Sequence, residues 1–328
     1  MAVLIGVDEA GVGPRLGPMV VAAVALRTPE SCQPREPWRV LRRVVRRRHS
    51  RRDPRPAVGD SKEVYAAGGL HALDRTVRAF VNAAAGPETG PVALSTLAEV
   101  LDHLADEPAS LPCSAYPWYA LDGMDPCAGL QAHEDCPHVT GRKLQRTLRR
   151  RAVELVALRA RPVLVGEFNR HVAHGHNKGA LLLHQTETLL GRVLSTCANE
   201  PVLITLDRQG GRKFYVPMLT RLFPGVWLDT IQEDDRASVY RVRRPEAPVE
   251  VRVEVRAEQR AFCVALASIL AKYTRERFMS RLNAFFSAQV PDLRPTAGYA
   301  GDAPRFLRII RPVLRQLGIP ETLLVRSC

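Results

Sequence analysis

The stretch "GVDEAGVGPRLGP", residues 6–18, links two short apolar runs, "VLIGVDEAG" (3–11) and "PMVVAAVAL" (18–26). Both runs are rich in aliphatic residues and of strand length, and the Gly/Pro segment between them predicts a buried β-hairpin. Asp8 and Glu9 end the first run, and Asp207 ends "PVLITLD" (201–207) in the same way. In open α/β sheets, sites form at the carboxyl ends of strands. Carboxylates gathered there raise one another's pKa unless a cation intervenes. A hard divalent ion, Mg²⁺ or Mn²⁺, meets that need, and two such ions can activate a water and stabilise the leaving oxygen of a phosphodiester. Gly11 and Gly13 would let a sugar-phosphate backbone approach the main chain closely. Asp8 and Glu9 also read as plain turn residues, and both readings stand on this stretch alone.

The rest of the chain supplies the frame. Residues 35–55 hold ten arginines, with Trp38, Leu41, Val44 and Val45 at helical spacing. The first half is expected to be a basic amphipathic helix and the second half a charged loop, either a phosphate-facing arm or a solvated face. Helical patterns follow at 70–83 and 96–105, the latter opened by a Thr96/Glu99 capping box. Asp60, Ser61 and Lys62 fall in a loop before them. Residues 106–139 read as an irregular insertion. A long basic helix is expected over about 140–160. "PVLVGEF" (162–168) and "PVLITLD" read as strands flanking a helix at about 178–195, a β-α-β unit with Asn177 as its N-cap. "VEVRVEVRAE" (249–258) alternates as a half-solvated strand does. Helices are expected at about 261–287 and 303–317.

With 328 residues, the chain has room for one large domain or two small ones. Its net charge of +13 suits a polyanionic partner, most simply nucleic acid. No apolar run reaches the roughly 18 residues of a membrane span, and "MAVLIGV" is too short for a signal peptide, so a cytoplasmic location is expected. The seven cysteines are expected to be free thiols. Cys127, His133, Cys136 and His138 cluster in sequence but match no common zinc spacing, and His171, His174 and His176 lack a spaced partner.

"GVDEAGVGPRLGPMVVAAV" resembles the opening motif of the type 2 ribonucleases H (the ribonuclease HII family), whose pattern is D-E-A-G-R-G-x-x-x-G-P-V-V. Further pieces match in order. "GDSKEV" (59–64) resembles the family's D-S-K-K-L segment, and "LITLDRQGG" the strand of its third acid. "ALASILAKYTRERFM" (265–279) is similar to its A-A-S-I-x-A-K helix, and "AGYAGD" (297–302) lies near its G-Y-G-T tail. The resemblance implies four metal-binding carboxylates: Asp8, Glu9, Asp207 and, ten residues before Ser268, Glu258, where the family carries Asp. Asp234, Asp235 and Glu254 fit that register less well. It also implies that Gly11, Val12 and Gly13 read 2′-hydroxyls through backbone groups, with Arg15 standing in for the family's Arg. Ser61, Lys62, Ser268 and Lys272 would lie near the nucleic-acid backbone, and Tyr299 would stack on a sugar.

The expected fold is therefore α/β of the ribonuclease H-like type. Its mixed central sheet should be flanked by helices, with Asp8 on the central strand. Residues 1–290 are read as the catalytic domain and 291–328 as a helical extension. The expected activity is metal-dependent endonucleolytic hydrolysis of RNA in RNA–DNA duplexes, with Mg²⁺ or Mn²⁺ in a two-metal site and 3′-hydroxyl and 5′-phosphate products. Two alternatives stand beside it: a nuclease of this fold acting on another structured nucleic acid, and a nucleic-acid-binding protein whose catalysis has decayed.

Overall fold

The computed structural model describes residues 1–30, 32–85, 90, 92, 94–107, 111–120, 137–197 and 199–327. Strands β1 (Ala2–Ala10) and β2 (Met19–Thr28) form the expected antiparallel hairpin. Helices α1 (Glu36–Val40), α2 (Ser61–Ala84), α3 (Leu97–Leu104) and α4 (Pro137–Arg150) precede β3 (Glu154–Val163). Then come α5 (Val165–Ala173), α6 (Lys178–Ser195), β4 (Val202–Asp207) and α7 (Val216–Leu222). Strands β5 (Leu228–Glu233), β6 (Ala237–Val242) and β7 (Val249–Glu254) follow, and α8 (Phe262–Gln289) and α9 (Ala303–Gln316) close the chain.

The seven strands form one mixed sheet in the order β3-β2-β1-β4-β7-β6-β5. Strand β1 is antiparallel to β2 and parallel to β4, and β4 is parallel to β7. The geometric centre is thus β4, with β1 beside it. The strands' alternation divides the core. Leu4, Val20, Ala22 and Val24 pack against α2, α4 and α8 on one face. Val3, Ile5 and Val7 pack against α6 and α7 on the other. A third cluster joins Trp118 and Tyr119 to the end of α8 and to α9. Gly6 fixes the docking of α8: a Cβ there would overlap the backbone of Cys263 and Val264.

Several sequence expectations hold. The Thr96/Glu99 capping box and the Asn177 N-cap are both formed, and α6 and α8 match their expected spans closely. Cys32, Cys113, Cys197 and Cys263 are free thiols. Others are corrected. The basic helix expected in the first half of 35–55 stops at Val40. Continuing it would stack Arg39, Arg43 and Arg47 at four-residue intervals, and like charges so placed destabilise a helix. Trp38, Leu41 and Val45 are buried nonetheless. Helix α4 ends at Arg150, where Ala152 turns left-handed (φ 51°), and residues 154–163 form an edge strand on β2. "PVLVGEF" accordingly is the end of β3 followed by the first turn of α5. Residues 60–62 open α2, with Asp60 as its N-cap, in place of a loop. The alternating strand ends at Glu254, and Glu258 lies in a 3₁₀ turn, Ala257–Gln259. In the Cys127/His133/Cys136/His138 reading, Cys127, His133 and Cys136 lie outside the described residues, so that reading does too. Among those described, no helix is long and apolar enough to cross a membrane.

Candidate active site

The last register pair between parallel strands β1 and β4 is Val7 with Leu206. One residue further, Asp8 and Asp207 stand side by side, on the sheet face that α8 covers. Glu9 points to the opposite face at the same edge. The chain leaving β7 supplies a fourth acid. Arg256 adopts a left-handed conformation (φ 57°, ψ 44°), uncommon for a residue with a side chain. That bend brings the Ala257 N–H to Asp207 Oδ1 at 2.9 Å and sets Glu258 beside it.

These acids line a cleft of about 700 Å³. Its walls also carry Gly11, Val12, Ser61, Lys62, Ser268, Lys272 and Tyr299. Eleven of the thirteen residues singled out from the sequence therefore meet in one place. Gly13 and Arg15 do not. They line a neighbouring cavity of about 450 Å³, together with Phe168, Asn177 and Arg326, and Val12 lies between the two.

Electrostatics mark the cleft as strained toward negative charge. Burial pushes Asp8 up to about 7, opposed by a hydrogen bond from Ser268 and reinforced by Asp207. Burial, then Asp8 and Asp207, hold Glu9 well above the usual carboxylate range. Asp207 is raised by burial and held back by the backbone N–H groups of Ala257, Arg208 and Arg256. Glu258 is raised by burial, with Asp207 and Asp60 adding to it. Lys62 opposes the rise at Glu9, Asp207 and Glu258. Four oxygen-donor acids that repel one another fit a hard divalent ion by donor chemistry. As the side chains stand, no group of three or more His, Cys, Asp or Glu residues among those described is arranged to hold a metal ion. Asp8 Oδ1 instead accepts the Glu9 N–H at 2.8 Å, and Asp207 Oδ1 is taken by Ala257.

The polar wall opposite the acids is well ordered. The hydroxyls of Ser61 and Ser268 lie 2.9 Å apart and join α2 to α8. Lys272 donates to Glu276 at 2.6 Å and lies over the Tyr65 ring. Arg275 donates to Ala297 O at 2.8 Å, and its guanidinium lies 5.6 Å from the Tyr299 ring centre. Gly11 (φ 79°) gives Arg275 room: a Cβ there would meet Arg275 Nε at 2.5 Å. The Gly298 carbonyl accepts the N–H groups of Arg15 and Leu16, tying the Tyr299 segment to the glycine turn. Arg275 and Arg256 are cleft residues that the sequence reading missed. Arg275 was visible as the residue one helical turn beyond Lys272, whereas Arg256 required knowing that β7 ends at Glu254.

No family model and no curated protein matches the sequence. Solved structures do. Ribonuclease H2 from Pyrococcus horikoshii OT3 is 16% identical, covering 98% of this chain and 92% of that one, with a TM-score of 0.44. Ribonuclease HII from Archaeoglobus fulgidus, solved as a PCNA complex, is 16% identical over 99% and 93%, with a TM-score of 0.41. Bst-RNase HIII, solved with Mn²⁺, is 14% identical over 99% and 66%, with a TM-score of 0.42. Likenesses this loose say nothing of what the chain does. The sheet itself defines the class: antiparallel β3, β2 and β1 continue into parallel β4 and β7, with helices on both faces and a C-terminal helical part. This is an α/β protein with a ribonuclease H-like fold.

Proposed function

We propose that this protein is a metal-dependent endonuclease that hydrolyses RNA within RNA–DNA duplexes, leaving 3′-hydroxyl and 5′-phosphate ends. The observation that carries the reading is the meeting of Asp8, Glu9, Asp207 and Glu258 in one cleft with Lys62, Ser268 and Tyr299. Asp8, Glu9, Asp207 and Glu258 would hold Mg²⁺ or Mn²⁺, which when bound would neutralise the scissile phosphate and activate the attacking water. Ser268 opposes the burial-driven rise at Asp8 and so favours its ionised form. Lys62 offers a positive charge to a phosphate entering beside the acids. Gly11 and Val12 on the cleft wall would meet a ribose, and Tyr299, 48% exposed, would stack on a sugar.

The direct test is cleavage of a DNA duplex carrying one ribonucleotide, with Mg²⁺ and separately with Mn²⁺. An all-DNA duplex and Asp8→Asn protein are the controls. Cleavage 5′ of the ribonucleotide, absent from both controls, is the expected result. Longer hybrids and branched duplexes left equally intact would overturn it. One observation favours a second reading, a binding protein with decayed catalysis: the acids are not arranged to hold an ion. That reading expects duplex binding indifferent to divalent ions and no cleavage of any substrate.

A further inference from the structure

A second charged feature lies away from the acids. Arg39, Arg42 and Arg43, in and just after α1, face Arg150 and Arg151 at the end of α4 across a groove of about 310 Å³. Arg39 pairs with Glu36 at 2.9 Å. Among the described residues no acid pairs with the other four, and all four are exposed. The exposed face of α4 extends the same charge through Arg142, Lys143, Arg146 and Arg149, with no acid between them. Local helix formation does not explain this composition. Five cations on one helix face repel one another and receive no i,i+4 support.

The groove lies at the opposite end of the sheet from the acids. Arg151 leads into β3, whose first residue, Glu154, pairs with Arg27, and Arg27 pairs with Val3 at the start of β1. Asp8 is five residues further along β1, about 17 Å away at strand rise. The arginine-rich segment connects the two ends. It begins in the groove at Arg39 and reaches the cleft rim at Arg47, whose Nη2 donates to Gln259 O at 2.5 Å. Gln259 lines the cleft beside Glu258.

We infer that this groove is a second holding site for the sugar-phosphate backbone of a nucleic acid duplex, outside the acidic cleft. Guanidinium groups on both walls match phosphate oxygens in bidentate geometry, as point-charge ammonium groups do not. A duplex covers the span between groove and cleft in about five base pairs, and each base pair brings two phosphates. Among the described residues the groove lining has no aromatic side chain, and its one hydroxyl, Thr147, donates to Lys143 O at 2.8 Å, so the contact is to phosphates and independent of sequence. The choice of nucleic acid over other polyanions rests on the proposed reading of the cleft.

The test needs neither metal nor cleavage. Binding of the full chain to an all-DNA duplex of about 40 base pairs is measured by fluorescence anisotropy in chelator, across salt concentrations. The combined variant Arg42→Gln, Arg43→Gln, Arg150→Gln, Arg151→Gln is expected to bind roughly tenfold more weakly or worse near physiological salt. Its log–log salt slope should fall by about 3, close to 0.9 for each phosphate that the variant no longer neutralises. The same four positions changed to Lys should keep the slope, which separates charge from any loss of fold. Unchanged affinity and slope in the Gln variant would overturn the inference. So would loss of binding to phosphatidylserine vesicles with DNA binding intact, since the groove would then serve a lipid surface. Because no strand is cut, failure of the nuclease reading would show as intact substrate in every metal while the groove result stood.

Discussion

Asp8 and Asp207 extend, by one residue each, the register that pairs Val7 with Leu206 on adjacent parallel strands. Two carboxylates so placed cannot both ionise freely, and the sheet gives neither a way to turn aside. Burial first, and neighbouring acids second at Asp8, Glu9 and Glu258, show in protonation: Asp8 is pushed up to about 7, and Glu9, Asp207 and Glu258 are all raised.

Stability should therefore depend on pH with a definite sign. A carboxyl whose folded pKa exceeds its unfolded value binds more protons when folded. Its stabilisation is full below about pH 4 and is lost as pH rises through about 7. A rise of about three pKa units corresponds to at most about 4 kcal/mol. In chelator, the Tm should fall between pH 5 and pH 8, and Asp8→Asn should flatten that fall relative to wild type. Adding Mn²⁺ at pH 8 should restore Tm in the wild type and much less in the variant. Equal pH profiles for the two proteins would remove the electrostatic account of the cleft.

Gly6 couples the acid-bearing strand to the helix that carries Ser268 and Lys272. A Cβ at Gly6 overlaps backbone atoms of Cys263 and Val264, which no rotamer change can relieve. Gly6→Ala should cost about 3 kcal/mol or more in urea denaturation, since the helix must shift as a body. A loss under about 1 kcal/mol would mean that α8 is not seated on β1 as described.

A buried ionic network holds α2 to α8 behind the cleft. Asp74 pairs with Arg78 at 2.6 Å and accepts the Tyr273 hydroxyl at 2.8 Å. Arg277 donates to that hydroxyl and to Leu94 O, both at 2.7 Å, and Arg78 also donates to Leu94 O. Removing the Asp74 charge takes from the buried Arg78 guanidinium the carboxylate it pairs with. Asp74→Asn should therefore lose about 3–5 kcal/mol of stability. Folding stability within about 1 kcal/mol of wild type would show that the network is not buried in solution.

The sequence made the cleft more legible than the sheet's edges. Asp8 and Asp207 are visible because apolar runs stop abruptly at a charge, a signal that survives without any knowledge of tertiary packing. Glu258 came only from spacing to Ser268 within the family resemblance, since the strand before it appeared to run on to 258. Its true setting depends on Arg256 turning left-handed, which no local pattern announces. Strands β5 and β6 went unread because they are half-exposed, so their alternation is masked by polar residues on both faces. Yet Asp234-Asp235-Arg236 between two short β-rich runs is an ordinary hairpin signal. The Arg39–Arg47 segment misled for the opposite reason: Trp38, Leu41 and Val45 have helical spacing because they pack on one core, not because one helix carries them. Arg15, expected in the cleft, is drawn into the next cavity by the hydrogen bonds that its own N–H and that of Leu16 make to Gly298.

Glu258 offers the sharpest test of the proposed metal chemistry. Its side chain is one methylene longer than Asp and springs from a 3₁₀ turn fixed by the hydrogen bond from Ala257 to Asp207. Mg²⁺ demands near-ideal octahedral geometry and tolerates a displaced ligand poorly. The wild type should accordingly cleave a ribonucleotide-bearing duplex faster with Mn²⁺ than with Mg²⁺. Glu258→Gln should lower both rates by roughly a hundredfold, as loss of a charged ligand does. Glu258→Asp should retain activity and shift the Mn²⁺-to-Mg²⁺ rate ratio several-fold, because the carboxylate retreats while its charge stays. If Glu258→Asp leaves the ratio unchanged and Glu258→Gln stays active, Glu258 lies outside the metal set. The cleft would then have to work with Asp8, Glu9 and Asp207, and Asp60, the α2 N-cap on the same wall, would be the next acid to replace.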